Sequence, residues 1–285
     1  MARPGRDRHG AKPGVKDRDT RLFRFKRIPV RFLLPNIVTL LALCAGVTAI
    51  RLGVEGRFEL AVAAVIVAIV LDAVDGRLAR FLKGTTKFGA ELDSLADFVN
   101  FGVAPAVLIY IWSLQELRNL GWVVALGLAV CCALRLARFN VAIEDPDKPA
   151  WTSGYFTGVP APAGAGLALA PFYLGFLGII PDGRAAAPAV LVYIALVAVA
   201  MVARIPTYSG KTVGQRVSPE LVLPILAAVV IVAVLLIAYT WQMLAIMALV
   251  YIALIPFGIR SHARHKREWE ARPGHARKPG EEPEA

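Results

Sequence analysis

The sequence predicts an all-α fold, a polytopic transmembrane helix bundle of about eight spans with both termini cytoplasmic. Three observations predict it. Hydrophobic residues make up 57% of the 285-residue chain, above the roughly 45–50% of soluble domains, and the mean hydropathy is +0.58. Uncharged apolar runs of about 20 residues, the length that crosses a bilayer, recur between Phe32 and Ile259. The net charge of +11 is concentrated at the ends, with eleven Lys and Arg in residues 1–31 and seven from Arg260 onward. A large soluble helical core does not account for so many runs of spanning length.

Residues 1–31 form a basic tail with Gly and Pro, expected to be disordered, in which Lys26–Phe32 lies along the interface as a short amphipathic piece. The spans follow as Phe32–Ile50, Phe58–Phe81, Ser94–Leu114 and Leu120–Ile143. Then come Pro160–Ile180, Ala187–Ala203, Leu221–Tyr239 and Trp241–Ile259. Pro105, Pro160, Pro162 and Pro171 start or kink spans, as membranes tolerate. Residues 261–285 carry three prolines and many charges and are expected to be disordered beyond their first turns. The chain thus divides into tail 1–31, membrane domain 32–260 and tail 261–285.

Charge asymmetry tests that count. With the N-terminus inside, 28 of the 32 Lys and Arg fall on the cytoplasmic side, and only Arg51, Arg57, Arg118 and Arg184 fall opposite. Such a division follows the positive-inside rule. Basic tails beside spans attract anionic membrane lipids, and no aromatic-rich surface accompanies them to suggest nucleic acid. Cys44, Cys131 and Cys132 sit within apolar runs, which excludes a disulfide framework and a zinc knuckle. His9, His262, His265 and His275 are confined to the tails, so a histidine-based catalytic centre is excluded too. The first apolar run begins near Phe32 with spanning length, unlike a cleavable signal peptide.

The stretch Leu71–Asn100, LDAVDGRLARFLKGTTKFGAELDSLADFVN, organises the rest. Asp72 and Asp75 are three residues apart and Asp93 and Asp97 four, so each pair shares a helix face. A charge at mid-span costs roughly 2.5–3.5 kcal/mol on insertion scales. Four acids there require a compensating partner. Hard oxygen ligands suit Mg²⁺ or Mn²⁺, and two such ions about 3.5–4 Å apart clamp both sides of a phosphoryl displacement. Ala79 continues the Asp72/Asp75 face and Gly76 permits close approach of backbone or ligand. Gly84 and Gly89 suit a tight reversal that returns the third span to the second. Arg80 is spaced to fork onto phosphate oxygens. Three other uses of the acids compete: interfacial ion pairs with Arg77, Arg80, Lys83 and Lys87, a divalent-cation channel or transporter, and a lipid-anchored scaffold that leaves them without a purpose.

The pattern Asp72-x2-Asp75-Gly76-x2-Ala79-Arg80-x8-Gly89-x3-Asp93-x3-Asp97 resembles, at every fixed position, the signature of the CDP-alcohol phosphotransferase family. The resemblance covers residues 32–204. It implies an enzyme that displaces CMP from a CDP-linked donor by an alcohol, with two divalent ions held by Asp72, Asp75 and Asp93. Asp97 would border the metals and act as general base on the acceptor hydroxyl. The resemblance further puts the donor's cytidine diphosphate near Pro35, Asn36 and Thr39 and near Gly76, Arg80 and Thr86, and it implies a homodimer. Interhelical hydrogen bonding is the alternative for Asn36 and Thr39, and a turn cap for Thr86.

Three further segments, Phe88–Ala106, Ala133–Asn140 and Phe156–Pro162, are similar to the phosphatidylserine synthase branch of that family. Asn100 departs from it where a serine is expected. The branch implies CDP-diacylglycerol and L-serine as substrates, with glycerol 3-phosphate or an inositol phosphate as the competing acceptors. On the residues alone, Arg135 and Arg138 share a face at the cytoplasmic end of the fourth span, beside Asn140. They suit a serine carboxylate or donor phosphates, or merely the positive-inside bias. Thr157 shapes the acceptor pocket or only its loop. The acids face the cytoplasm from the inner membrane, within reach of a cytosolic substrate.

Overall fold

Small residues set how the first helices pack in the computed structural model, which describes residues 30–82, 86–143, 155–180, 182–203, 206–208 and 219–270. Helices α1 (Val30–Val54) and α2 (Phe58–Phe81) form a hairpin. Ala42 and Ala49 of α1 and Ala61 and Ala68 of α2 are all buried. With lipid outside, apolar contact alone does not draw helices together, and small side chains allow the close backbone approach that does. Asp72 and Asp75 ride on the last turns of α2.

The third span is longer than expected and changes pitch. It begins at Lys87, not Ser94, as α3 (Lys87–Asp97), widens into a π-helical turn (Phe98–Val103) and continues as α4 (Ala104–Trp112). Pro105 explains the change. It has no N–H to give the carbonyl four residues back, and its ring crowds that carbonyl, so the turn before it opens. The π-helical turn therefore starts immediately after Asp97.

A 3₁₀ turn (Leu114–Leu117) leads into α5 (Arg118–Ile143). The fifth span is broken into α6 (Ala161–Ala168) and α7 (Ala170–Phe176). Pro171 withdraws the donor that the Leu167 carbonyl would have had, and Tyr193 of α8 (Ala187–Val202) donates to that carbonyl instead, at 2.8 Å. The last two helices are α9 (Pro219–Ala238) and α10 (Thr240–Glu270). The apolar window of α9 buries none of its residues within the chain, as suits a lipid-facing helix. Helix α10 continues to Glu270, well past Ile259, because no Gly or Pro interrupts Arg260–Glu270.

The expectation of an all-helical chain needs one small correction. Tyr155–Thr157 (β1) and Pro206–Tyr208 (β2) pair antiparallel, Thr157 opposite Pro206. Five helical segments are long and apolar enough to cross a membrane: Leu33–Val54, Lys87–Trp112, Leu114–Ala142, Leu221–Ala238 and Thr240–Gly258. Helix α2 has the length, but carries Asp72, Asp75, Arg77 and Arg80 in its second half. The chain is a helical membrane protein. Residues 1–29, Lys83, Lys148, Arg204, Lys211, Arg216 and residues 271–285, on which parts of the charge argument rest, lie outside the described residues, as does Gly84 of the expected reversal.

Candidate active site

The acids meet where the C-terminal half of α2 faces α3. Asp72, Asp75 and Asp93 each offer a carboxylate oxygen, and these lie within 4.8 Å of one another. Asp75 is the most enclosed, at 3% exposure. The Asp97 and Asp72 carboxyl groups come within hydrogen-bonding reach of each other. Two carboxylates so placed need a proton or a cation between them. Asp97 Oδ1 is buried without a hydrogen-bond partner. Arg77, Arg80 and Lys87 form no ion pair with any of the four, so the interfacial ion-pair reading fails for these three cations. The set is all hard oxygen, clustered and without an ion pair among the described residues, which suits a divalent cation.

Helix α1 supplies one wall. Thr39 Oγ1 sits 2.7 Å from Asp75 Oδ2 and 3.1 Å from the Pro35 carbonyl. Pro35, Asn36, Thr39, Asp75, Gly76, Ala79, Thr86, Gly89, Ala90 and Asp93 together line a pocket of ≈ 180 Å³. Five of the six residues expected around the donor are thus brought together, beside two of the acids. Arg80 is the exception. It is exposed, and its Nε donates to the Gly76 carbonyl one turn back, at 2.9 Å, so its guanidinium folds along its own helix and does not line the pocket.

One glycine reading changes and another narrows from backbone or ligand to ligand alone. Gly89 is not in the reversal: it belongs to the first turn of α3, where its backbone N–H donates to Thr86 Oγ1 at 2.9 Å, making Thr86 the N-cap. A Cβ at Gly89 would come within 2.8 Å of Asn36 Oδ1. Its role is to let α3 approach α1 beside the pocket. Gly76 has nothing within 4 Å of the corresponding point, so its missing side chain leaves open pocket, not a helix contact.

On the far side of α3, α5 carries the candidate acceptor residues, which the structure separates by role. Arg135 is 8% exposed, with its guanidinium carbon 5.3 Å from the Phe139 ring centroid, and it lies within electrostatic range of Asp97 and Tyr251. Arg138 Nη1 donates to the Val202 carbonyl at 2.6 Å. Val202 ends α8, whose last carbonyls have no helical donors, so Arg138 caps that helix. Asn140 Nδ2 donates to Ser94 Oγ at 2.9 Å, tying α5 to α3 between Asp93 and Asp97. Ser94 and Tyr251 carried no signal in the sequence, because each gains its place only through a helix distant in the chain.

Asn100, one turn past Asp97, is 1% exposed and has neither amide atom hydrogen-bonded. It presses on Gly46 of α1, where any side chain would strike its Oδ1.

Comparison with known proteins identifies the family. The model of the family described as CDP-alcohol phosphatidyltransferase matches residues 32–203, and that of CDP-alcohol phosphatidyltransferase 2 matches residues 220–256. The CDP-diacylglycerol–serine O-phosphatidyltransferase of Mycobacterium leprae is 36% identical over 245 residues, 84% of this chain and 79% of its own. The Mycobacterium tuberculosis (strain H37Rv) protein of that name is 36% identical over 256 residues, 85% of this chain and 84% of its own. An archaetidylserine synthase from Methanothermobacter thermautotrophicus is 33% identical over 151 residues, 52% of this chain and 61% of its own. A family match over more than half the chain, with the four acids inside it, leaves one conclusion: the protein belongs to the CDP-alcohol phosphatidyltransferase family.

Proposed function

We propose that the protein is an integral-membrane phosphatidyltransferase that converts CDP-diacylglycerol and L-serine to phosphatidylserine and CMP. The observation that carries the reading is the convergence of Asp72, Asp75 and Asp93 within 4.8 Å at the edge of a pocket walled by Pro35, Asn36 and Thr39. Relatives aligned over most of the chain bear the name of that activity.

Asp72, Asp75 and Asp93 would hold Mg²⁺ or Mn²⁺, two ions in the family pattern, with Asp97 at their border. Bound there, the ions supply charge neutralisation of the diphosphate, which makes CMP a tolerable leaving group. The chain's own residues do the rest. Thr39 orients the Asp75 carboxylate, and the α1 wall with Gly76 and Thr86 receives the cytidine diphosphate. Arg80 joins the phosphates only by leaving the Gly76 carbonyl. Asp97 takes the proton from the serine hydroxyl. The serine oxygen bonds to the phosphorus next to diacylglycerol while the bond from that phosphorus to the CMP oxygen breaks.

Serine is favoured over a phosphorylated acceptor because Arg138 is engaged by Val202, which among the described residues, where Arg204 is not, leaves Arg135 as the buried cation near Asp97. One guanidinium matches one carboxylate. In this reading Asn140 holds the acceptor side through Ser94, about eight spans cross the inner membrane, both basic tails are cytoplasmic, and the enzyme works as a homodimer.

The test is CMP release by purified protein with L-serine, glycerol 3-phosphate and an inositol phosphate supplied in turn. Release that depends on serine supports the reading. Equal release with every acceptor discards serine, and metal flux into liposomes without any CDP-lipid would favour a transporter.

A further inference from the structure

Two neighbouring polar groups deep in the bundle have no hydrogen-bond partner among the described residues. One is Asp97 Oδ1. The other is the side-chain amide of Asn100, which is 1% exposed and has neither Oδ1 nor Nδ2 bonded. Side chains three residues apart on a helix have Cβ atoms roughly 5–6 Å from each other. Protein interiors seldom leave such groups unsatisfied, and here an acceptor and a donor are left together.

The backbone holds Asn100 in place. It sits in the π-helical turn, where the Ala104 N–H donates to the Val99 carbonyl five residues back. That turn is gripped from two sides. A Cβ at Gly102 would lie 3.1 Å from Cys132 Cβ of α5, and on the α1 side Asn100 meets Gly46. The atom nearest the point where Gly46 would carry a Cβ is Asn100 Oδ1, with Cγ at 3.0 Å and Cα at 3.3 Å. Oδ1 is therefore aimed at the Gly46 Cα–H, a weak donor, and Nδ2 is turned away from α1. Asn100 does not line the pocket beside the acids, so it acts on the site through another group. A water molecule both donates and accepts. Buried waters bond to two to four polar groups that the chain leaves unsatisfied, and a bridging water holds nearly as firmly as a direct hydrogen bond.

We propose that one water bridges the Asn100 amide and Asp97 Oδ1, accepting from Nδ2 and donating to the carboxylate. Asn100 is thereby a positioning residue for the transfer. It fixes the orientation of the carboxylate that must come within hydrogen-bonding reach of the acceptor hydroxyl, without touching the substrate itself. The inference rests on Asp97 being the base, as proposed above.

The test compares two substitutions in full-length protein in nanodiscs, assayed for serine-dependent CMP release. Asn100→Leu roughly keeps the volume and removes both polar atoms. Asn100→Ser is smaller but retains a hydroxyl that holds the water. Asn100→Leu is expected to lower kcat about tenfold or more, with KM for serine and for the CDP-lipid within about twofold of wild type. Asn100→Ser is expected to keep kcat within about threefold. A packing role alone gives the reverse order, because leucine fills the site and serine leaves a cavity. An unchanged kcat in Asn100→Leu, a loss through KM, or a greater loss in Asn100→Ser overturns the proposal. Should Asn100→Leu fail to fold, by melting and size-exclusion profile, Asn100→Ala takes its place against Asn100→Ser, from which it differs by one hydroxyl. A tenfold lower kcat for the alanine variant upholds the bridge, and equal values overturn it. Should wild-type protein release no CMP, the enzyme reading falls, and the bridge is judged by a cryo-EM map that resolves ordered waters. Density within hydrogen-bonding distance of both groups upholds it. An apolar side chain, a direct contact or no density between them refutes it.

Discussion

Thr39 Oγ1 of α1 lies 2.7 Å from Asp75 Oδ2 of α2, a hydrogen bond spanning 36 positions in the chain. It fixes one oxygen of the most enclosed acid. A hydrogen bond to a charged group contributes about 1.5–3 kcal/mol. Thr39→Val should therefore lower kcat/KM for CMP release by at least about tenfold, and Thr39→Ser should restore most of it. An unimpaired Thr39→Val would show that Asp75 needs no help from α1.

Asp97→Asn keeps the shape of the side chain and removes its basicity. Turnover should fall by about 10²–10⁴-fold, the usual contribution of a general base, while CDP-diacylglycerol binding, followed by equilibrium dialysis, stays near wild type. Loss of lipid binding in parallel would assign Asp97 to the metals instead.

Chelation by EDTA should abolish CMP release, and Mg²⁺ or Mn²⁺ should restore it. Asp72→Asn, Asp75→Asn and Asp93→Asn should each raise the metal concentration needed for half-maximal activity by tenfold or more, in the range seen when metal-site partners are lost. A metal titration curve that does not move in any of the three would remove the cluster from catalysis.

Gly76 and Gly89 line the same pocket but should respond differently. Gly89→Ala forces Asn36 to yield, because its Cβ would come within 2.8 Å of Asn36 Oδ1. It should lower both thermal stability and donor affinity. Gly76→Ala meets nothing and gains helix propensity of about 1 kcal/mol, so it should melt no lower than wild type. Its cost should appear only as a raised KM for the CDP-lipid. Melting curves beside lipid titrations distinguish the two.

Arg135 and Arg138 make a third contrast. Arg138→Ala uncaps α8 at Val202 and should cost about 1.5–3 kcal/mol of stability with little change in the KM for serine. Arg135→Ala should raise that KM about tenfold or more, as expected when a charge-assisted pair is lost. Serine saturation curves for the two variants decide which arginine reads the carboxylate.

Much of this was legible in the chain because helical spacing is local. Asp72 with Asp75 and Asp93 with Asp97 share faces at separations of three and four, whatever else the molecule does. The apolar runs likewise locate the helices to within a few residues in most cases. Lys87 was hidden because the polar first turns of α3 lack the hydrophobic signal that marks a span. The π-helical turn after Asp97 was hidden because Pro105 announces a lost hydrogen bond but not how the backbone absorbs it. The break in the fifth span was signalled by Pro171, whereas its repair by Tyr193 depended on a helix 26 positions away.

The sequence by itself determined the class of molecule, the order of its helices and the identity of the four acids. Those depend on composition and on periodicities of a few residues. Only the tertiary structure decided that Thr39 serves Asp75, that Arg138 caps α8 while Arg135 remains near Asp97, that Arg80 folds back on Gly76, and that α10 brings Tyr251 within electrostatic range of Arg135. Each of these is a contact between side chains on different helices or a rotamer choice. Such contacts are set by which faces pack and how closely, and a one-dimensional pattern does not carry that information.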